Sequence, residues 1–144
     1  MFVQTPDKAT SLKRLKRWLE IMTEVAKTPE RLEMHRWRGT PGDRSAEACG
    51  TVACAAGHAS MDQGFQAEGL MVDRFWAPAI RSSRGYEIGI PAMARFFGIS
   101  EAQAGFICLP RHYWSDSKRV PAIDPKSVMR HIQLTIDAVE RRPF

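Results

Sequence analysis

The residues of this chain best suited to chemistry are concentrated in one small-residue run, Cys49-Gly50-Thr51-Val52-Ala53-Cys54-Ala55-Ala56-Gly57-His58-Ala59. Cys54 and His58 stand four apart, so on a helix their side chains share a face. Cys108 and His112 repeat that spacing, and Cys49 lies just ahead of the first pair. Four soft ligands drawn from this set would suit tetrahedral zinc. Against that reading, the sequence contains no Cys-x-x-Cys knuckle, and the second pair straddles Pro110, which should break a helix between them. A thiol nucleophile is the other chemistry on offer. Cys49 beside a helix N-terminus would have a lowered pKa, and His58 could serve as its base. Yet the two are more than two helical turns apart, and Cys54 is expected in the helix interior, away from the positive dipole end. No nucleophile elbow or carboxylate pair accompanies them. The plain alternative is that the thiols are small buried groups. The sequence therefore assigns no catalytic residue, no metal ligand and no cofactor.

A second candidate is Met93-Ala94-Arg95-Phe96-Phe97-Gly98-Ile99-Ser100-Glu101-Ala102-Gln103-Ala104-Gly105-Phe106-Ile107, patterned like a helix-turn-helix with Gly98 at the turn. Its groove-facing positions would be Ser100, Glu101, Ala102, Gly105 and Phe106. They hold no Arg, Lys or Asn to read base edges, and one carboxylate that repels phosphate. The third candidate is electrostatic. Lys13, Arg14, Lys16 and Arg17 form the densest basic cluster, and Arg141 with Arg142 adds another near the C-terminus. The two would merge if the terminal helices packed side by side. These six residues are the candidate binding residues.

Composition limits what such sites can serve. The chain has 144 residues, 44% hydrophobic and 26% charged, enough for one self-sufficient core. No apolar run is long enough to span a bilayer, and the first ten residues lack a signal-peptide core, so a cytoplasmic location is expected. Three cysteines without an export signal suggest reduced thiols. The net charge of +5 favours acidic partners, nucleic acid among them, although 16 acidic residues are interspersed with 21 basic ones.

The elements that must position these groups are mostly helical. Leu12, Leu15, Trp18, Leu19, Met22 and Val25 form an apolar stripe that predicts a helix from about Thr10 to Lys27. Its mixed-sign outer face includes Lys16 and Glu20, spaced to pair. Thr28 is placed to cap a short helical turn from Pro29 to Met34, ending near Trp37. Arg38 to Glu47 reads as an exposed loop. The small-residue helix is expected from about Thr51 to Gln63, with Gly64 as its stop. Almost bare of side chains, it would let neighbours approach to about 8 Å. Trp18, Phe65, Phe75, Trp76, Phe96 and Phe97 would fill around it. Arg81-Ser82-Ser83-Arg84-Gly85 could be a hairpin turn or a loop. Pro91 opens a helix that Gly98 closes after Phe97, and Ser100 with Gln103 has capping-box spacing for the next, ending before Pro110. Asp124 and Pro125 start a long helix to about Arg142, with Val128, Met129, Ile132, Ile136 and Val139 as its buried stripe.

Several of these segments together resemble a family of small uncharacterised proteins frequent in bacteriophage and prophage genomes. The resemblance rests on the amphipathic N-terminal helix, Leu32-Glu33-Met34-His35-Arg36-Trp37, and the Cys-Gly-Thr-x-x-Cys-x-x-Gly run from Cys49 to Gly57. It extends to the Ala-x-Phe-Phe-Gly-Ile-Ser segment from Ala94 to Ser100 and the Pro-x-x-Tyr element from Pro110 to Tyr113. Members often carry an aromatic residue where His58 stands, and Cys108 lies outside the pattern. The resemblance implies an intracellular phage-associated protein, transfers no catalytic residues, and suggests binding to a host protein or protein–nucleic acid complex, for instance to inhibit a host defence system.

The expected fold is a single mainly α domain over 1–144, with 1–9 flexible. Two long terminal helices would surround the small-residue helix, with one small β-hairpin as an option. The expected function is non-catalytic binding of a host macromolecule. A nucleic-acid binder using 93–107 and a zinc-stabilised or thiol-active protein are the alternatives.

Overall fold

A computed structural model describes residues 2–32, 34, 54–74, 77–113 and 123–143. The expected loop from Arg38 to Glu47, and Cys49, Thr51–Ala53, Trp37, Phe75 and Trp76, lie outside the described residues.

Helix α1 (Lys8–Val25) begins where the Asp7 carboxylate accepts a hydrogen bond from the Thr10 N–H at 2.8 Å. Its buried face is Ser11, Leu15, Trp18, Met22 and Val25. Leu12 and Leu19, placed in the stripe by spacing alone, are half-buried beside it. After α1 the chain makes only a 3-10 turn, Pro29–Arg31, and the Thr28 side chain caps nothing. Leu32 is already extended, which is why the expected helix to Met34 does not form.

The small-residue helix is shorter than its composition suggested. Helix α2 (Ala55–Ser60) has Cys54 as its N-cap, the thiol accepting from the Gly57 N–H at 3.3 Å. It ends at Met61 because the Asp62 carboxylate caps a new helix, α3 (Gln63–Ala67), through the Phe65 N–H at 3.1 Å. Gly64 therefore lies inside α3 and stops nothing. The other correction concerns Cys54, which sits at the helix start and not in its interior.

Three antiparallel strands follow, ordered β1 (Met71–Val72), β2 (Pro78–Ser82), β3 (Gly85–Ile88). The β2–β3 pairing sets Ile80 against Glu87 and Ser82 against Gly85, so the Arg81–Gly85 segment is a hairpin turn. Residues 2–7, expected to be flexible, are anchored to this sheet and to the core. The Val3 N–H donates to the Arg81 carbonyl at 2.6 Å, and the Val3 side chain is buried.

Helix α4 (Ile90–Phe97) carries Pro91 in its first turn and ends on Gly98 in the left-handed conformation, φ +68°. Helix α5 (Glu101–Cys108) opens with both bonds of a Ser100/Gln103 capping box, each 3.0 Å. A 3-10 turn, Pro110–Tyr113, comes after it. Helix α6 (Pro125–Glu140) is capped by Asp124 and buries Val128, Ile132, Thr135, Ile136 and Val139, with Met129 half-buried. It packs antiparallel along α1, so that Lys8 at the start of α1 donates to the carbonyls of Glu140 and Arg142 at the end of α6.

The fold is thus mainly α with a small sheet; the two long helices pack on one another, and α1 also packs on the small-residue helix. Ala55, Ala56 and Ala59 are sealed, and aromatic rings occupy the space they leave. Trp18 stacks on Phe97 with ring centroids 4.4 Å apart, and donates its indole N–H to the Ala55 carbonyl at 3.0 Å. Phe65, Phe96 and Phe97 meet edge to face at 5.1–5.4 Å, the arrangement aromatic quadrupoles favour. Among the described residues no helix is long and apolar enough to cross a membrane.

Candidate functional site

Within the cysteine and histidine set, Cys54 and Cys108 come within electrostatic reach of one another, and His58 and His112 are engaged elsewhere. Cys54 is buried at the start of α2 and Cys108 at the end of α5. Burial, and then the proximity of Cys54, pushes the Cys108 thiol well above its ordinary pKa. His58 Nε2 lies 2.8 Å from the Arg31 carbonyl. A carbonyl only accepts, so that nitrogen holds the ring proton and is committed to locking the 3-10 turn onto α2. Pro110 puts His112 on a separate turn from Cys108, with its ring edge-on to Phe106 at 6.0 Å. Among the described residues no three His, Cys, Asp or Glu side chains gather as metal ligands, and Cys49 lies outside those residues.

The α4–turn–α5 pair has the shape of a helix-turn-helix, but part of its reading face is covered. Ser100, Glu101 and Ala102 are exposed, while Gly105 is buried. Phe106 is stacked flat on His131 of α6 at 3.9 Å, and the other face of that imidazole stacks on Tyr113 at 4.1 Å. His131 Nδ1 donates to the Phe106 carbonyl at 2.7 Å, and the Tyr113 hydroxyl donates to the Ile107 carbonyl at 2.7 Å. Two of the otherwise unpaired carbonyls at the end of α5 are satisfied this way. Sequence reasoning missed this stack, and the helical spacing of His131 to Val128 and Thr135, one position off the buried stripe, was the available signal.

Desolvation by burial lowers the His131 pKa below 6.5, with His112 and Arg130 also opposing its protonation and the bond to Phe106 favouring it. The folded chain then binds fewer protons than the unfolded chain as pH falls below about 6.5, the unperturbed value. Stability contributed by this site is complete above that pH and lost on acidification. In thermal melts from pH 7.5 to 5.0, His131→Phe should therefore show a shallower fall in Tm than wild type. Parallel profiles would contradict the assignment.

The six basic candidates divide into pins and free charges. At the negative end of α4, three successive carbonyls receive side-chain donors: Phe96 from Arg14 at 2.6 Å, Phe97 from the Ser11 hydroxyl, and Gly98 from Arg142 at 2.9 Å. Arg14 also lies over the Phe96 ring at 4.1 Å and pairs with Glu68 at 3.0 Å. Arg142 further donates to Gln103 at 3.2 Å. Arg17 bridges Asp62 at 2.7 Å and Glu20 at 3.2 Å, and the bond to Asp62 chiefly raises its pKa. Lys16 pairs with Glu140 of α6 at 3.7 Å and not with Glu20, both side chains remaining about half exposed. Lys13 is exposed and makes no hydrogen bond or ion pair with another described residue, and Arg141 is exposed. The N- and C-terminal basic groups are thus brought together at the end of α4, where Arg14 and Arg142 are spent on carbonyls and do not form an open patch.

Lys13, Arg14, Lys16 and Arg17 do converge elsewhere. All four line a groove of about 630 Å³ between α1 and α3. Its floor is Ala9, Leu12, Gly64 and Phe65, and Glu20, Asp62 and Glu68 complete the wall. No family model, curated protein or solved structure matches the chain. The groove itself is therefore what the functional reading rests on. It presents apolar surface, the exposed ammonium groups of Lys13 and Lys16 on the α1 rim, the second in a long contact with Glu140, and on the α3 side Asp62 and Glu68, held by Arg17 and Arg14.

Proposed function

We propose that this chain is a non-catalytic accessory protein that binds a host macromolecule in the cytoplasm of a phage-infected bacterium, for instance to inhibit a defence system. The phage setting comes from the sequence resemblance. The binding role is supported chiefly by one observation: four of the six basic residues singled out by sequence, Lys13, Arg14, Lys16 and Arg17, line the α1–α3 groove, while Cys54, His58 and His131 serve a cap, a turn and packing. A nucleic-acid role through α4–α5 has less support, because Phe106 is stacked beneath the imidazole of His131 and Gln103 is engaged by Arg142.

The test is cross-linked capture from nuclease-treated bacterial lysate with the purified chain, followed by binding of the recovered protein in purified form. A defined partner that binds the purified chain is expected. Recovery of no partner, or of partners lost on nuclease treatment, would overturn the reading. In a low-salt duplex-DNA retardation assay the same reading expects no shift.

A further inference from the structure

We propose that the α1–α3 groove receives an amphipathic helix of a protein partner whose acidic flank faces α1. This rests on the binding-module reading above and specifies the occupant of that site. Groove-lining residues on α1 run from Ala9 to Glu20, about 16 Å of helix axis, enough to match three turns of a partner helix. Ala9 and the half-buried Leu12 supply the apolar seat above the sealed ring of Phe65, and Gly64, bearing no side chain, keeps the α3 side of that seat low.

Charge selects the occupant's chemistry. Arg14 and Arg17 are already neutralised by Glu68, Asp62 and Glu20. Lys13 and Lys16, three apart on α1, are the cations left to meet a ligand, because the Lys16–Glu140 contact is long and half exposed. A polyphosphate backbone lying in the groove would meet two carboxylates, Asp62 and Glu68, on the α3 wall opposite these lysines, and a third, Glu20, on α1 itself. A helix with glutamates along one flank, leucines beneath and neutral or basic residues on the other flank matches both walls.

The probe is a designed helical peptide of about fourteen residues with leucines at i, i+4 and i+7 and glutamates along one flank. Its comparison is a peptide of the same composition with the glutamates scrambled around the helix. Binding is read by fluorescence anisotropy to the intact chain. The patterned peptide should bind about tenfold or more tighter than the scrambled one, and weaken as salt rises from ~50 to ~500 mM. Lys13→Glu with Lys16→Glu should lower affinity by about tenfold or more, with circular dichroism and Tm unchanged, since both side chains are exposed. Leu12→Ser should weaken binding without altering its salt dependence. The control pair Lys126→Glu with Arg84→Glu, equal in charge change and remote from the groove, should bind as wild type. Equal affinity for the two peptides, indifference to the double lysine reversal, or competition by duplex DNA would overturn the proposal. A partner captured from lysate whose binding survives the double reversal would leave the binding-module reading standing and remove this occupant alone.

Discussion

Trp18→Ala is expected to lower the unfolding free energy by about 3–5 kcal/mol, the range for emptying a large aromatic from a packed core. Trp18 is wholly buried, stacks on Phe97, and supplies the indole N–H that satisfies the Ala55 carbonyl. Its removal opens a cavity beside α2, whose Ala55, Ala56 and Ala59 are too short to fill it. A domain of this kind has about 5–15 kcal/mol in total, so the variant should melt far below wild type in urea titration or by calorimetry. Trp18→Phe, which keeps the stacking but loses the N–H, should lose less. A Trp18→Ala cost near 1 kcal/mol would show that the small-residue helix does not depend on this ring.

The second large effect belongs to Gly98. An alanine there is expected to cost about 2–4 kcal/mol, combining a strained left-handed residue with overpacking. At φ +68° an added Cβ falls 2.7 Å from Pro6 Cγ and 3.2 Å from Ser11 Oγ. Both neighbours matter, because Pro6 leads into the α1 cap and Ser11 holds the Phe97 carbonyl. Gly85 separates the two contributions. It also has positive φ, +103°, but nothing lies within 4 Å of an added Cβ. Gly85→Ala should therefore show the conformational cost alone, about 1–2 kcal/mol. Equal losses at the two positions in denaturant titrations would mean that the close approach of residues 6–11 to the α4–α5 turn is not tight.

These two predictions concern parts of the fold that were legible in the chain for definite reasons. The α1 and α6 stripes have full helical periods, Pro91 and Gly98 bracket α4, and Ser100 with Gln103 announces α5. Where reading by pattern fell short, the deciding interaction was a single side chain or a very short element. Asp62 takes the Phe65 N–H and divides what composition alone presents as one helix into α2 and α3. Strand β1 has two residues, too few to show alternation, and is held by pairing to β2. Val3 is fixed by one bond to Arg81, a residue far away in sequence.

The site shows the same division. Arg14 reads as one of four neighbouring basic residues, yet it stands three after Ser11 and four before Trp18, on the flank of the buried stripe. That placement delivers its guanidinium to the Phe96 carbonyl and ring. Lys13 and Lys16 turn away from the stripe and stay on the groove rim. Residue type could not separate these roles, but position relative to the stripe could have. Arg142 follows the last turn of α6, and nothing local signals that it reaches the Gly98 carbonyl. The carboxylate wall of the groove was equally hidden, since Asp62 and Glu68 come from α3 and its ends, whose existence depended on the unforeseen cap.

Whether Cys54 and Cys108 are architecture or chemistry is tested most directly by their reactivity in the folded chain. In a Cys49→Ala variant, labelling with a thiol-specific aromatic disulfide measures these two groups alone. Both are buried, Cys54 accepts the Gly57 N–H, and burial holds the Cys108 proton on. The expected result is negligible labelling in native buffer, with a rate that rises in urea in parallel with global unfolding. Rapid stoichiometric labelling of either thiol under native conditions would contradict the account.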